Sequence, residues 1–155
     1  MALNRAILAA VRVGVTSARL DEALLQLVPF TGYARAINAF AVLRTLLPQA
    51  PGPLRRKGGV RRRGETLCRR IYGPVYGKMI ARMRSFHPEL ADWILQEGYG
   101  KVLSRPGLSI LDRELLVVAV LGTLGVPAQL KSHELGARRV GASSGQIRQM
   151  LQLSR

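Results

Sequence analysis

An all-α fold is predicted by three observations. Apolar residues make up 48% of the chain and aromatic ones only 5%, and the apolar set is mostly Leu, Ala and Val, a mixture that suits packed helices better than sheets. Helix start and stop signals recur along the whole chain. Its 155 residues suffice for one domain with a real core and are too few for two ordinary ones.

The elements follow in order. Residues 3–13 read as helix, Gly14-Val-Thr-Ser17 as a stop and restart, and residues 18–27 as a second helix. Pro29-Phe-Thr-Gly32-Tyr33 breaks the pattern before a third helix over residues 34–47. Residues 48–64 hold three prolines, four glycines and a basic cluster of Arg55, Arg56, Lys57, Arg61, Arg62 and Arg63. With so few apolar groups this segment is expected to be a linker. The helical pattern resumes at Glu65, is punctuated at Gly73-Pro74 and runs to about residue 84; Pro88 opens the next helix, which passes Trp93 and ends near residue 102. Arg105-Pro-Gly107 makes a turn, and Ser109 with Asp112 caps the helix that carries Glu114. Pro127 fits the first turn of a helix carrying His133, Gly141 its stop, and Ser143-Ser-Gly-Gln146 the capping box of a last helix.

An offset of 127 residues aligns 135–151 with 8–24, matching Ala137 to Ala10, Arg139 to Arg12, Val140 to Val13, Gly141 to Gly14 and Ser144 to Ser17. Position 133 falls on Ala6, so residues 1–47 read as a partial first repeat with neither the histidine nor an equivalent of Glu114, and residues 65–155 as the second repeat. Residues 1–47 are expected to supply packing surface for 65–155, either within the chain or exchanged between subunits.

Several function classes are excluded. With Cys68 alone no intrachain disulfide forms, and a reducing cytoplasm is expected. The apolar run 6–11 is shorter than the core of a secretory signal. The uncharged stretch 115–130 falls short of the roughly 20 residues of a membrane span and contains Pro127. His87 and His133 lie far apart with no cysteine cluster, so no metal site is expected. Gly58-Gly59 lacks the context of a phosphate loop, and no cofactor is expected. The net charge of +15 resides in twenty arginines against four lysines. A high-GC coding sequence produces that bias without selection for binding, yet such a surface attracts polyanions weakly at low salt.

The stretch 109–145 holds the candidate chemistry. Glu114 lies eleven residues before Gly125 and His133 eight after it, about 16 and 12 Å from the turn at 1.5 Å per helical residue. In an antiparallel pair the two side chains would stand at nearly the same level. A histidine exchanges protons at physiological pH, and a carboxylate partner orients its ring. The alternatives are a histidine bonded inside a helix interface and a Glu114 placed in its helix's first turn by the dipole. Arg105 and Arg113 could clasp a substrate carboxylate. Tyr99, with Tyr72, Tyr76 and Trp93, either lines a pocket between helices or belongs to the core. His87 reads as a turn residue, and Cys68 either as a thiol activated by Arg69 and Arg70 or as a lone buried one.

The pattern Arg105-Pro-Gly-Leu-Ser-x-x-x-Arg113-Glu-Leu, followed by Gln129-Leu-x-x-His133-x-x-x-Ala137-x-x-x-Gly141-Ala, resembles the carboxymuconolactone decarboxylase family, itself similar to the AhpD-type alkylhydroperoxidases. The AhpD resemblance implies a Cys-x-x-Cys where this chain has Val126 and Gln129. Without two thiols there is no dithiol peroxidase chemistry. A helix that follows in the family is matched here by Phe30-Thr-Gly-Tyr33-Ala-Arg-Ala36-Ile-Asn-Ala39, near the N-terminus. The resemblance implies a helical homo-oligomer, a trimer or hexamer, and a cofactor-free lyase on a small carboxylated lactone or carbonyl compound, with His133 delivering a proton and Glu114 orienting it. Two other classes stay open. One is a non-catalytic helical scaffold or regulator; the other is a weak, non-specific nucleic-acid partner acting through the arginines of 55–70.

Overall fold

The computed structural model describes residues 2–49 and 58–153, and every described element is helical. The chain runs α1 (Ala2–Arg12), α2 (Ser17–Gln26), α3 (Val28–Thr31), α4 (Tyr33–Leu46), α5 (Val60–Tyr72), a 3₁₀ turn (Gly73–Val75), α6 (Tyr76–Phe86), α7 (Leu90–Trp93), a π-helical segment (Ile94–Leu103), α8 (Ile110–Leu124), α9 (Pro127–Arg139) and α10 (Ser144–Leu153). The all-α expectation holds. No described helix is long and apolar enough to cross a membrane.

The caps lie where side-chain chemistry puts them. Thr16 accepts from the Arg19 amide and opens α2. Ser109 and Asp112 bond reciprocally at the start of α8, as Ser143 and Gln146 do at α10, each box satisfying two otherwise orphaned backbone donors. The offset of 127 residues that aligns the sequences also carries the end of α1 at Arg12 onto the end of α9 at Arg139, and the start of α2 at Ser17 onto the start of α10 at Ser144.

The main core gathers Leu67, Cys68 and Ile71 of α5, Leu95, Tyr99 and Leu103 of the π-helical segment, and Val117 and Leu121 of α8. A smaller cluster joins Val118, Ala137, Ala142 and Ile147, seating α10 on α8 and α9. Residues 1–47 meet the remainder of the chain through α2, which lies on α8 and the π-helical segment, and through Phe30, which packs on the main core.

Two departures from the sequence reading have physical causes. The expected linker 48–64 is helical from Val60 onward; its basic residues 55–57 lie outside the described residues. α5 crosses the π-helical segment so closely that a Cβ on Gly64 would stand 1.9 Å from the Leu95 carbonyl oxygen, and one on Gly100 2.3 Å from that of Val60. Gly64 therefore marks a backbone contact rather than a flexible tether. Residues 94–103 form wide turns in place of the expected α-helix, closing with the Ser104 amide on the Tyr99 carbonyl at 2.8 Å. Such turns are rare and re-aim side chains; here the segment carries Tyr99 and Leu103 inward.

The N-terminal helices are locked down by a buried polar network. Arg113 is 2% exposed. Its Nη2 donates to Glu22 Oε2 at 2.9 Å and to the carbonyls of Arg105 and Pro106, and its Nη1 to Gln26 Oε1. Gln26 returns a bond from Nε2 to the Arg113 carbonyl at 2.9 Å, while Arg105 donates to Glu22 from Nε and Nη2. Burial alone would push the Glu22 carboxyl up; the hydrogen bonds and charges of Arg105 and Arg113 outweigh it and hold the group below the ordinary carboxylate range.

Removing one partner of such a network leaves the other charge buried and uncompensated. Glu22→Gln is therefore expected to lower the unfolding free energy by about 3–5 kcal/mol in urea titrations at neutral pH. Because the folded-state value is depressed, the stability contributed by Glu22 is complete above about pH 4.3 and lost as pH falls through the lowered value. The difference between wild type and variant should accordingly shrink in acid; a constant difference contradicts the assignment.

Candidate functional site

Glu114 shares the buried stripe of α8 with Val117, Val118 and Leu121, so the helix register aims it at α9 rather than at solvent. On α9, His133 is followed by Gly136 and Ala137, small residues that let the two helices approach. A Cβ on Gly136 would stand 2.8 Å from Glu114 Oε2 and 2.7 Å from Ile71 Cγ2. The carboxylate occupies the space that a side chain at 136 would take. His133 Nδ1 lies 3.0 Å from Glu114 Oε2, and the carboxylate is 1% exposed. With Glu114 ionised, the ring donates from Nδ1, and Nε2 is left as the nitrogen that accepts or delivers a proton.

His133 opens on a cavity of about 600 Å³. Phe30 and Tyr72 meet the imidazole edge-on, each at 6.4 Å between ring centroids, and fix its plane from two sides. Met79 and Met83 of α6, with Trp93, Ile94 and Leu103, make the walls apolar, while Lys78 and Arg82 bring positive charge to the same cavity. Tyr99 lines it as well, donating its hydroxyl to that of Tyr72 at 3.0 Å. Burial pushes the Tyr72 phenol up to about 12, with the Tyr99 bond opposing it, and raises Tyr99 well above the ordinary value. Both therefore remain neutral donors through the physiological range.

The structure corrects the expectation for two arginines and sorts the remaining candidates. Arg105 and Arg113 are not available to clasp a substrate carboxylate: both are bound to Glu22, the chain's own carboxylate. The cavity's cations are Lys78 and Arg82, which sequence reasoning missed. Their signal was present, since 78, 79, 82 and 83 place two cations and two methionines together on one face of a helix. Of the aromatic group, Tyr76 is core, while Trp93 lines the cavity yet is 60% exposed. His87 is extended and accepts from the Glu89 amide in a turn. Cys68 is not activated: burial first and the nearby Glu114 second push its thiol up to about 12. Arg69 opposes this only weakly, being engaged with Glu65 and stacked 4.2 Å above the Tyr76 ring. Of the two positions that carry cysteines in the AhpD pattern, Gln129 lines the cavity and Val126 packs on the core. Among the described residues no three His, Cys, Asp or Glu side chains gather as a metal site would require.

Two outcomes are expected from this geometry. Gly136→Ala should displace Glu114 and cost about 1–3 kcal/mol by overpacking, read as a lower urea midpoint with loss of the His133 ring contact in NMR spectra; an unshifted midpoint contradicts the close fit. A thiol reagent at about pH 8 should leave Cys68 unmodified in the folded protein and label it fully on unfolding.

The model of the carboxymuconolactone decarboxylase family matches residues 88–154, a span that contains both Glu114 and His133. A relative from Schizosaccharomyces pombe, Peroxisomal protein 2, is 32% identical over 135 residues, covering 83% of this chain and 63% of its own length. The chain thus spans less than two thirds of that relative. No solved structure matches it. The match of the family model places residues 88–154 in the carboxymuconolactone decarboxylase family.

Proposed function

We propose that the protein is a cofactor-free lyase acting on a small carboxylated lactone or carbonyl compound, with His133 as its proton carrier and Glu114 as the residue that orients it. The observation that carries this reading is a ring whose Nδ1 is committed to a buried carboxylate and which itself lines an otherwise largely apolar cavity. An isolated imidazole has no fixed tautomer. One tied through Nδ1 presents Nε2 to whatever fills the cavity.

The chemistry asked of it is modest. A carboxylate on the substrate is drawn to Arg82 and Lys78, in place of the Arg105 and Arg113 expected from sequence. The bond between that carboxylate and its carbon breaks, carbon dioxide leaves, and the electron pair stays on the substrate as an enolate conjugated to its carbonyl. The imidazolium form of His133 then gives the Nε2 proton to carbon, and solvent returns it to the ring. Tyr72, a neutral phenol, supplies a donor for the oxygen on which charge develops. Apolar walls exclude water and strengthen both contributions.

The assembly that fits is a homo-oligomer, in line with the resemblance and with apolar side chains such as Phe86, Tyr33 and Ile37 that are more than 60% exposed. The single thiol fits a reducing compartment, the cytoplasm on our reading; the relative's name assigns the peroxisome to that protein alone.

Decarboxylation of 4-carboxymuconolactone, followed by ultraviolet absorbance, tests the proposal. Turnover by wild type should fall by about 100- to 10,000-fold in His133→Ala, compared at matched oligomeric state, and Arg82→Ala should raise KM more than it lowers kcat. No turnover by a well-assembled wild type, or full turnover by His133→Ala, overturns it.

A further inference from the structure

A second cavity, of about 520 Å³, lies on the other side of Leu103, which lines both. Four arginines line it: Arg62, Arg63 and Arg70 of α5, and Arg105 of the turn before α8. From this arrangement we infer a binding site for a small organic phosphate, a dianionic head on a short apolar body. The inference is independent of the chemistry assigned to His133.

The distribution of partners around α5 separates these arginines from a merely basic surface. Arg61 and Arg69, on the parts of α5 away from the cavity, are each paired with an acid, Asp92 at 2.8 Å and Glu65 at 2.8 Å. Arg62 and Arg70 have no hydrogen-bond or ion-pair partner among the described residues. They stand eight residues apart with Thr66 midway, a spacing that places all three on one helix face. A coding bias toward arginine does not sort acids to one side of a helix and leave the other side, which is concave, unneutralised.

The remaining two guanidiniums are held in place beforehand. Arg63 donates from Nε to Ser104 Oγ at 3.3 Å, from Nη2 to the Gly100 carbonyl at 3.2 Å and from Nη1 to the Gly58 carbonyl, so that all three of its nitrogens are engaged within the chain. Arg105 is gripped by both oxygens of Glu22. That carboxylate is shared with Arg113, so it offsets little of the charge gathered at the cavity. A concave wall of one sign of charge concentrates the field of such a cluster. Planar guanidiniums donate in pairs to phosphate oxygens, and the Thr66 hydroxyl adds a further donor. The free forks are those of Arg62 and Arg70, a pair that suits a doubly charged, three-oxygen head, while Arg63 and Arg105, whose donors are taken within the chain, contribute charge. The apolar side chains of Leu67, Leu103 and Ile110 complete the lining and suit a hydrocarbon body.

Calorimetric titration of the full chain with butyl phosphate and with inorganic phosphate, at a fixed ionic strength of about 0.15 M, tests the site. Expected are saturable binding at one site per chain, tighter for butyl phosphate, and a loss of at least about tenfold in the double variant Arg62→Ala/Arg70→Ala, about 1.4 kcal/mol. Both residues are unpaired, so the variant should keep its circular dichroism and melting temperature. Non-saturable binding, or unchanged affinity in the folded double variant, overturns the inference. So does a short DNA duplex that binds through Arg62 and Arg70 with log-linear salt dependence while butyl phosphate does not bind, because the arginines then form a nucleic-acid surface.

Discussion

The burial of one guanidinium, that of Arg113, is the constraint on which the arrangement of this chain depends. A charged side chain taken out of water costs several kcal/mol unless its donors and its charge are both answered. Here the answers to the charge and to the two terminal nitrogens come from three places, the Glu22 carboxylate and the Gln26 amide on α2 and the carbonyls of Arg105 and Pro106 in the turn before α8, while Nε has no partner among the described residues. The two α2 groups lie 91 and 87 residues from Arg113 in sequence. α2 is docked on α8 because Arg113 must be satisfied, and α3 follows α2 directly, bringing Phe30 against the imidazole of His133.

The neighbouring residue, Glu114, makes the second commitment of the same helical turn. Successive residues on a helix face about 100° apart, so Arg113 and Glu114 reach different partners: one ties α8 to the N-terminal helices, the other ties it to α9. The absent side chain at Gly136 makes room for the carboxylate, and the ring is then held by one hydrogen bond and two aromatic edges. Fold and candidate chemistry are joined through consecutive residues. A change at Glu22 should therefore reach the cavity through the position of Phe30, even though Glu22 does not line it.

What the sequence made legible was local. Ser109 with Asp112 and Ser143 with Gln146 announce helix starts because capping is satisfied within four residues, and the distances of Glu114 and His133 from Gly125 place them opposite one another because helical rise is fixed. The role of Arg105 and Arg113 was not legible. Their partner Glu22 lies 83 and 91 residues away, and among twenty arginines nothing local distinguishes a buried one from a solvated one. Gly64 misled for a related reason: beside Arg61, Arg62 and Arg63 a glycine reads as a linker, and only the position of Gly100 across the helix crossing shows that it permits backbone contact. The π-helical turns of 94–103 leave no signal in composition, although they help carry Tyr99 and Leu103 to the cavity.

The proton-carrying role of His133 depends on the orientation of one ring, and nitrogen NMR of the histidine-labelled protein reads it directly. Only His87 and His133 contribute, and His133→Ala assigns the signals. The predicted result is a neutral His133 imidazole protonated at Nδ1, bonded to Glu114, with Nε2 as the free acceptor. A neutral ring protonated at Nε2 would mean that Nδ1 accepts from Glu114 rather than donates to it, and would contradict the assignment of Nε2 as the nitrogen that takes up and delivers the proton in the cavity.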